Sequence, residues 1–523
     1  MKRCITALTI TIFILAIHFQ AAGQYTNVMI SNQDWPNETS IYMNPKNTNQ
    51  LVAGANLTAA YYSNDGGYTW GNSKMQSTLG VYGDPVLVID TNGYFYYFHL
   101  SNPVNNPGGW LDQIVCQRST NSGLSWNDGS GIGKNSPAQQ DKPWVIVNPY
   151  NNELYVTWTQ FDLYGVSDTT KHSNIHFSSS SDNGISWTPA IRLNEISGNC
   201  VDSDSTVEGA VPAVGPEGEI YTSWAGPAGI VFDRSLDGGI TWLDHDITVS
   251  DMPGGWDFQV PGIFRVNGMP VTCCDLSKGP HNGTIYINWS DQRNGTFDTD
   301  IWLSKSTDGG NTWSPPLRVN NDPPGKQQFF NWMTIDQSTG YIWIVFYDRR
   351  NYNDNRTDVF LACSTDGGNT FSNFKVSETP FLPSQTVFFG DYTCITAHNN
   401  KIRPIWTRLD DLDLSIYTAI VDTLLLSSQV EEAIPFAVEQ NYPNPFHEST
   451  IFSFKLRNSG NITLTVNDIF GKTVALIIDN KWMERGKYVK SFNPAVQNLP
   501  SGVYYFSLKG NGINRQRKMI YQK

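Results

Sequence analysis

One eight-residue phrase recurs six times along the chain: SNDGGYTW (Ser63 to Trp70), STNSGLSW (Ser119 to Trp126), SSDNGISW (Ser180 to Trp187), SLDGGITW (Ser235 to Trp242), STDGGNTW (Ser306 to Trp313) and STDGGNTF (Ser364 to Phe371). The third positions, Asp65, Asn121, Asp182, Asp237, Asp308 and Asp366, stand 56, 61, 55, 71 and 58 residues apart. Each phrase has the chemistry of a tight hairpin turn. The side-chain oxygen accepts backbone N–H groups, a glycine two positions later relieves the turn, and the closing aromatic packs between sheets. A repeat of this period is one small sheet that cannot bury its apolar faces alone, so the chain must stack such sheets against one another.

A strand such as DIWLSK (Asp300 to Lys305) or DVFLAC (Asp358 to Cys363) precedes each octet, and before it come two strands joined by a Gly/Asn turn. The inner pairs begin at Ser40, Pro85, Pro143, Pro212, Pro270, Asn331 and Asp391, which makes seven pairs for six octets. The last unit, ending in SIYTAIVD (Ser415 to Asp422), lacks a fourth strand. NVMISN (Asn27 to Asn32) reads like the outer strands PLRVNN and FKVSE and supplies it, closing a ring with no open edge. The octets resemble the Asp-box, or BNR repeat, of sialidase-like β-propellers, over residues 24–424. The resemblance implies an all-β propeller. The spacing favours seven blades of about 57 residues, with six blades of about 67 as the alternative, although sialidases themselves have six. It is weak on activity, because Asp boxes occur in sialidases, other glycosidases and noncatalytic receptors.

Composition agrees with a β architecture. Trp, Tyr and Phe number 17, 24 and 26, beside 44 Gly and 28 Pro, while only 16% of residues are charged and the net charge is −13. Helical bundles, coiled coils and disorder are excluded, and an acidic chain of low charge argues against nucleic acid as a partner. Lys2 and Arg3, the apolar run Ile5 to Phe19 and the small residues Ala21 to Gly23 have the order of a signal peptide over residues 1–23, with no transmembrane segment in the mature chain. Six cysteines remain after it, without a C-x-x-C pair, and Cys273, Cys274 and Cys394 read as core thiols. A linker at 425–438 leads to a segment, 439–523, containing QNYPNPF, VNDIFGKTV, LPSGVYYFSL and a basic close at Lys518. These phrases resemble the type A C-terminal sorting domain of the type IX secretion system of Bacteroidetes. The resemblance implies a small β-sandwich, a partnership with that secretion machinery, export through the periplasm to the cell surface or medium, and removal of the domain.

In a four-stranded blade the turns after strands one and three share one end, so the octets point away from the connections that follow strand two and precede strand one. Those connections carry the charge: Asp84, Asp141, Lys142, Glu208, Asp257, Arg265 and Asp391 before strand one, and Arg293, Arg349 and Arg408 with neighbouring aspartates after strand two. Acids, arginines and aromatics around one funnel predict a carbohydrate or anion site. Glu208, Asp84 and Asp141 are the candidate catalytic acids. Arg265, Arg293, Arg349, Arg408 and Trp332 are the candidate substrate-binding residues, and the six octet residues are structural. The resemblance to sialidases implies three arginines clamping a carboxylate, a tyrosine nucleophile polarised by a glutamate, and an acid. The Arg-Ile-Pro signature that should precede the first octet is missing, and Tyr347 and Tyr392 are the nearest tyrosine candidates. The Asp–Arg pairs in SDQRNG and YDRRN read equally as links between blades.

The His172/His176 spacing and the GSGIGKNS run lack the partners a metal or phosphate site needs, so no metal and no cofactor is expected. DSDST (Asp202 to Thr206) reads as a solvated acidic loop before it reads as a calcium site. The resulting expectation is a secreted or cell-surface propeller that binds, and hydrolyses, an extracellular glycan or glycoprotein. The alternative is a noncatalytic propeller that binds glycan or protein through the same face.

Overall fold

The computed structural model describes residues 25–103, 111–422, 436–456, 459–510 and 513–523. The predicted signal peptide and most of the predicted linker lie outside the described residues. The chain divides into two compact units at Val421/Asp422.

The first unit contains seven four-stranded antiparallel sheets, six of them laid down in chain order from the inside outward. Their innermost strands are Ser40–Met43, Val86–Ile89, Gln139–Val147, Glu208–Val214, Val271–Cys274, Gln328–Asp336 and Cys394–His398. Each packs against the next, and the seventh packs against the first, so the sheets form a closed ring. They are called blades one to seven here. Closure is made by the chain's own beginning: Thr26–Ser31 pairs with Asp413–Asp422, with Val28 opposite Thr418, and becomes the outer strand of blade seven. The longest interval between octets, in blades four to five, holds a small extra hairpin, Asp257–Phe258 with Val266–Asn267.

Second strands bury a large ring at one equivalent position. Trp158, Trp224, Trp289, Phe346 and Trp406 are all 0–1% exposed, which suits a chain that fills wedge-shaped gaps between sheets with few, large side chains. The octets do the same job at the outer edge. Ser63 Oγ donates to Asp65 Oδ1 (2.8 Å), while the backbone N–H of Thr69 donates to the same oxygen (2.9 Å) and its hydroxyl to the other (2.6 Å). Asp182, Asp237, Asp308 and Asp366 repeat this network, and Asn121 substitutes by donating from its amide to Ser125 Oγ. The octet tryptophan then meets the preceding blade edge-on: Trp187 against Phe98, Trp242 against Phe177 and Trp313 against Phe232, at 5.0–5.8 Å. The second octet glycine is required twice over. Gly310 has φ +90°, and a Cβ there would sit 2.3 Å from the Phe232 ring.

The second unit is a β-sandwich of a three-stranded sheet (Phe436–Val438, Thr450–Leu456, Gly486–Phe492) and a four-stranded sheet (Thr473–Met483, Gly460–Asn467, Gly502–Gly510, Ile513–Tyr521). Alternate residues of Thr450–Leu456 and Gly460–Asn467 point into a shared core with Phe446, Phe506 and Met519. Its first strand, Phe436–Val438, falls inside the segment that the sequence reads as linker.

Candidate functional site

The innermost strands enter the ring irregularly, and that irregularity builds the site. In blades three, four and six, two residues oppose one across the first strand pair: pairing skips from Asp141 to Trp144, from Glu208 to Val211 and from Phe329 to Trp332. The bulged residues Lys142, Gly209 and Phe330 take φ of +45°, +77° and +51°. At the corresponding entrances of blades one and two, Glu38 and Asp84 both have φ of +50°. Left-handed backbone costs a non-glycine residue roughly 1–2 kcal/mol. It persists at four such positions around one axis, and bulges of this kind re-aim side chains at sites.

The re-aimed side chains converge. Lys142 Nζ donates to Asp391 Oδ2 at 3.0 Å and lies 3.9 Å from Glu208. Arg265, carried on the extra hairpin, donates from Nε to Asp391 Oδ1 at 2.9 Å, from Nη2 to Asp391 Oδ2, and from Nη1 to Asp202 Oδ2 at 3.1 Å. The Tyr164 hydroxyl donates to Asp202 at 2.7 Å. On the other side, Asp84 is within hydrogen-bonding reach of the carboxyls of both Glu38 and Asp141. The Asn56 amide group donates to Glu38 and accepts from the backbone N–H of Asp84, at 2.8 Å.

These groups share too little water and too few cations, and their acidities separate as a result. Burial would raise Asp391, but Lys142 and Arg265 reverse this and hold it down at about 2. Burial lifts Asp141 to about 7, opposed by Lys142 and reinforced by Asp84 and Asp202. Burial, followed by Asp84 and Asp391, carries Glu38 well above the carboxylate range, and burial with Asp202 does so for Glu208. Burial works against the Lys142 charge, yet Asp391, Asp141 and Glu208 keep the ammonium charged. Carboxyls pushed apart in this way divide into proton donors and a permanent anion.

A cavity of about 380 Å³ opens onto this cluster, with Glu38, Asp84, Asp141, Lys142, Tyr164 and Arg265 in its wall and Trp35, Leu57, Tyr82 and Phe388 toward its mouth. It is blind. Below it Trp144, Trp332 and Tyr392 pack with ring centres 4.4–6.3 Å apart around a void of about 20 Å³, room for one water. A separate, more apolar pocket of about 360 Å³ opens at the other end of the axis. The octets share that other end: the backbone N–H of Gly66 donates to Asn49 O, in the turn after strand one.

Sequence reasoning therefore brings Glu208, Asp84, Asp141 and Arg265 together, along with Lys142 and Asp391. Three arginines do not join them. Arg293 folds back on Asp291 (Nη2 to Oδ2, 2.6 Å), reaches Ser250 and Asp251 of the preceding blade, and lies over Trp302. Arg349 is 1% exposed and is held by Thr357 and the Pro261 carbonyl, over Phe329. Arg408 pairs with Asp410 and lies over Phe381. An arginine two residues from an aspartate on a tight connection closes on that neighbour, and Arg350 does the same with Asp348. Trp332 belongs to the plug beneath the cavity rather than to its wall. The three-arginine clamp is not assembled, and Tyr347, with its hydroxyl on Thr407 O, is committed elsewhere. Sequence reasoning missed Glu38 and Tyr164 and read Asp202 as solvated, whereas it anchors Arg265. Alignment of the strand-one entrances would have found Glu38, two residues before Ser40 as Asp84 is two before Val86. Tyr164 and Asp202 sit on loops without such a register.

Residues 440–522 match the secretion system C-terminal sorting domain. The tail directs export by type IX secretion to the cell surface or extracellular space. No curated protein matches the chain. Similar solved structures include an ulvan lyase (14% identity, TM-score 0.46, covering 77% of this chain and 94% of its own). A sialidase from Trypanosoma rangeli has 13% identity and TM-score 0.41, over 95% and 89%. An α-L-arabinofuranosidase from Fusarium graminearum has 15% identity and TM-score 0.42, over 68% and 99%.

Proposed function

We propose that the propeller is an exported glycan-cleaving hydrolase whose active site is the blind acidic cavity, with Asp141 as the general acid. The observation that carries this reading is the placement of Asp141 in the cavity wall with its carboxyl lifted to about 7, beside a second cavity-facing carboxyl, Asp84. An acid works best when its acidity matches the working pH, and glycosidic cleavage needs one carboxyl to protonate the departing oxygen and another group to meet the positive charge that develops on the sugar. Asp84 takes that second role. Arg265 is clamped by Asp391 and Asp202 and fixes the shape of the cavity wall, and Trp35, 61% exposed at the mouth, offers a face for a sugar ring. The export tail places such a site where polymeric glycans are met, and the tail is removed once export is complete.

A binding-only propeller draws support from one observation: Lys142 and Arg265 are both already paired within the protein. Reducing-end release from a panel of neutral, amino and acidic polysaccharides separates the two readings. Hydrolysis predicts release that Asp141→Asn abolishes. Binding without release favours the module.

A further inference from the structure

The cavity's wall is unbalanced in charge. Seven carboxyl groups surround it or stand directly behind it, those of Asp34, Glu38, Asp84 and Asp141 in the lining and of Asp202, Glu208 and Asp391 behind; Asp34 is paired with Lys74, and Lys142 and Arg265 are the only cations among the described residues that line the cavity. Both cations are consumed. Lys142 is 6% exposed and bonded to Asp391, and Arg265 is divided between Asp391 and Asp202, leaving no free guanidinium edge of the kind that clamps an anion. One carboxyl is left over even so. Glu208 is 0% exposed, neither of its oxygens has an N–H partner within hydrogen-bond distance, and its neighbours are two other carboxyls, Asp202 and Asp141, and the Lys142 ammonium 3.9 Å away. At the mouth, Trp35, Tyr82 and Phe388 add aromatic faces, and Arg265 already lies 5.3 Å over the Phe388 ring, so a cation over these rings is a contact the site makes on its own.

We propose that the cavity takes a cationic glycan, one whose sugar carries a protonated amine, with the ammonium seated between Asp84 and Glu38. An ammonium there supplies the missing positive charge and donates up to three hydrogen bonds to groups that now share protons among themselves. A uronic, sialic or sulfated sugar brings a further negative charge into the same wall and finds no unpaired cation. The weakened acidity of Glu38, caused by burial and by Asp84 and Asp391, accords with this deficit of cations, since a proton stands where a cation would stand. This inference rests on the proposed function for the choice of cavity and deepens it by naming the charge of the sugar.

Calorimetric titration of the full chain at pH 6 and low salt with three probes tests it: a glucosamine tetramer, its N-acetylated counterpart and a galacturonate tetramer. The glucosamine tetramer should bind at least tenfold more tightly than either of the others. The advantage should shrink at high ionic strength and disappear in Asp84→Asn, with thermal unfolding confirming that this variant is folded. Equal binding by the N-acetylated tetramer, tighter binding by the galacturonate, or no binding of the amine overturns the inference, as does an advantage that survives Asp84→Asn. The two readings fail separately. Glucosamine binding without release of reducing ends refutes hydrolysis and leaves the cationic site standing. Asp141-dependent cleavage of acidic glycans alone leaves hydrolysis standing and refutes the cationic site.

Discussion

Lys142 Nζ donates to Asp391 Oδ2 at 3.0 Å across the hub of the ring, joining residues 249 positions apart, one at the entrance of blade three and the other at that of blade seven. Arg265, from the hairpin before blade five, meets the same carboxylate, so one anion ties three separate blades at the floor of the cavity. Breaking a buried pair by removing one partner strands the other charge, at a cost of about 3–5 kcal/mol. Lys142→Met should therefore destabilise the propeller by that order in denaturant unfolding. Lys142→Met combined with Asp391→Asn should cost less than the sum of the two single changes, because the two groups are directly coupled.

Asp141 predicts a pH dependence of definite sign. Its carboxyl is raised from 3.8 to about 7 in the fold, so the stability it contributes is fully present below the unfolded value and is lost as pH rises through 7. Asp391 has the opposite sign: held at about 2, it stabilises above the unfolded value and stops doing so as pH falls through 2. Between about pH 4 and 7, wild type should lose stability relative to Asp141→Asn by at most about 1.4 kcal/mol per pH unit, read from urea unfolding at stepped pH.

The octets should matter for stability and leave the cavity untouched. Asp308→Ala removes acceptors for the Thr312 N–H and hydroxyl and for Ser306 Oγ, and should cost about 1–2 kcal/mol. Gly310→Ala should cost more, because the new Cβ meets the Phe232 ring in a backbone conformation that alanine disfavours. Thermal unfolding with each variant's ligand binding measured in parallel checks both.

Ring closure depends on a strand from the far end of the chain. Deleting Thr26–Ser31 leaves Asp413–Asp422 as an open edge and should raise hydrogen exchange first in blade seven, before blades two to five. Uniform destabilisation of all seven sheets, or no change in blade seven, would contradict this role.

Much of the fold could be read in the chain because its cause is local and repeated. An Asp or Asn followed by Gly and an aromatic makes the same turn six times, and the pairing of Thr26–Ser31 with Asp413–Asp422 follows from a unit that lacks its outer strand. The site was legible where blade register carries it, as at Asp84, Asp141 and Glu208. It was illegible where a side chain had a choice of partner. Arg293 and Arg408 sit on the correct connections but close on Asp291 and Asp410 at 2.5–2.6 Å, so position on a face does not fix direction. Tyr164 and Asp202 come together only through the folding of two loops, and no spacing in the sequence brings them near Arg265.

Turnover by wild type, Asp141→Asn and Asp308→Ala on the polysaccharide panel, measured as reducing ends released near neutral pH, tests most directly the claim that the acidic cavity cleaves glycans. Asp141 as general acid predicts release by wild type and Asp308→Ala alike, and a loss of roughly 10²–10⁴-fold in folded Asp141→Asn. Full activity in Asp141→Asn, or no release from any glycan by folded wild type, would contradict it.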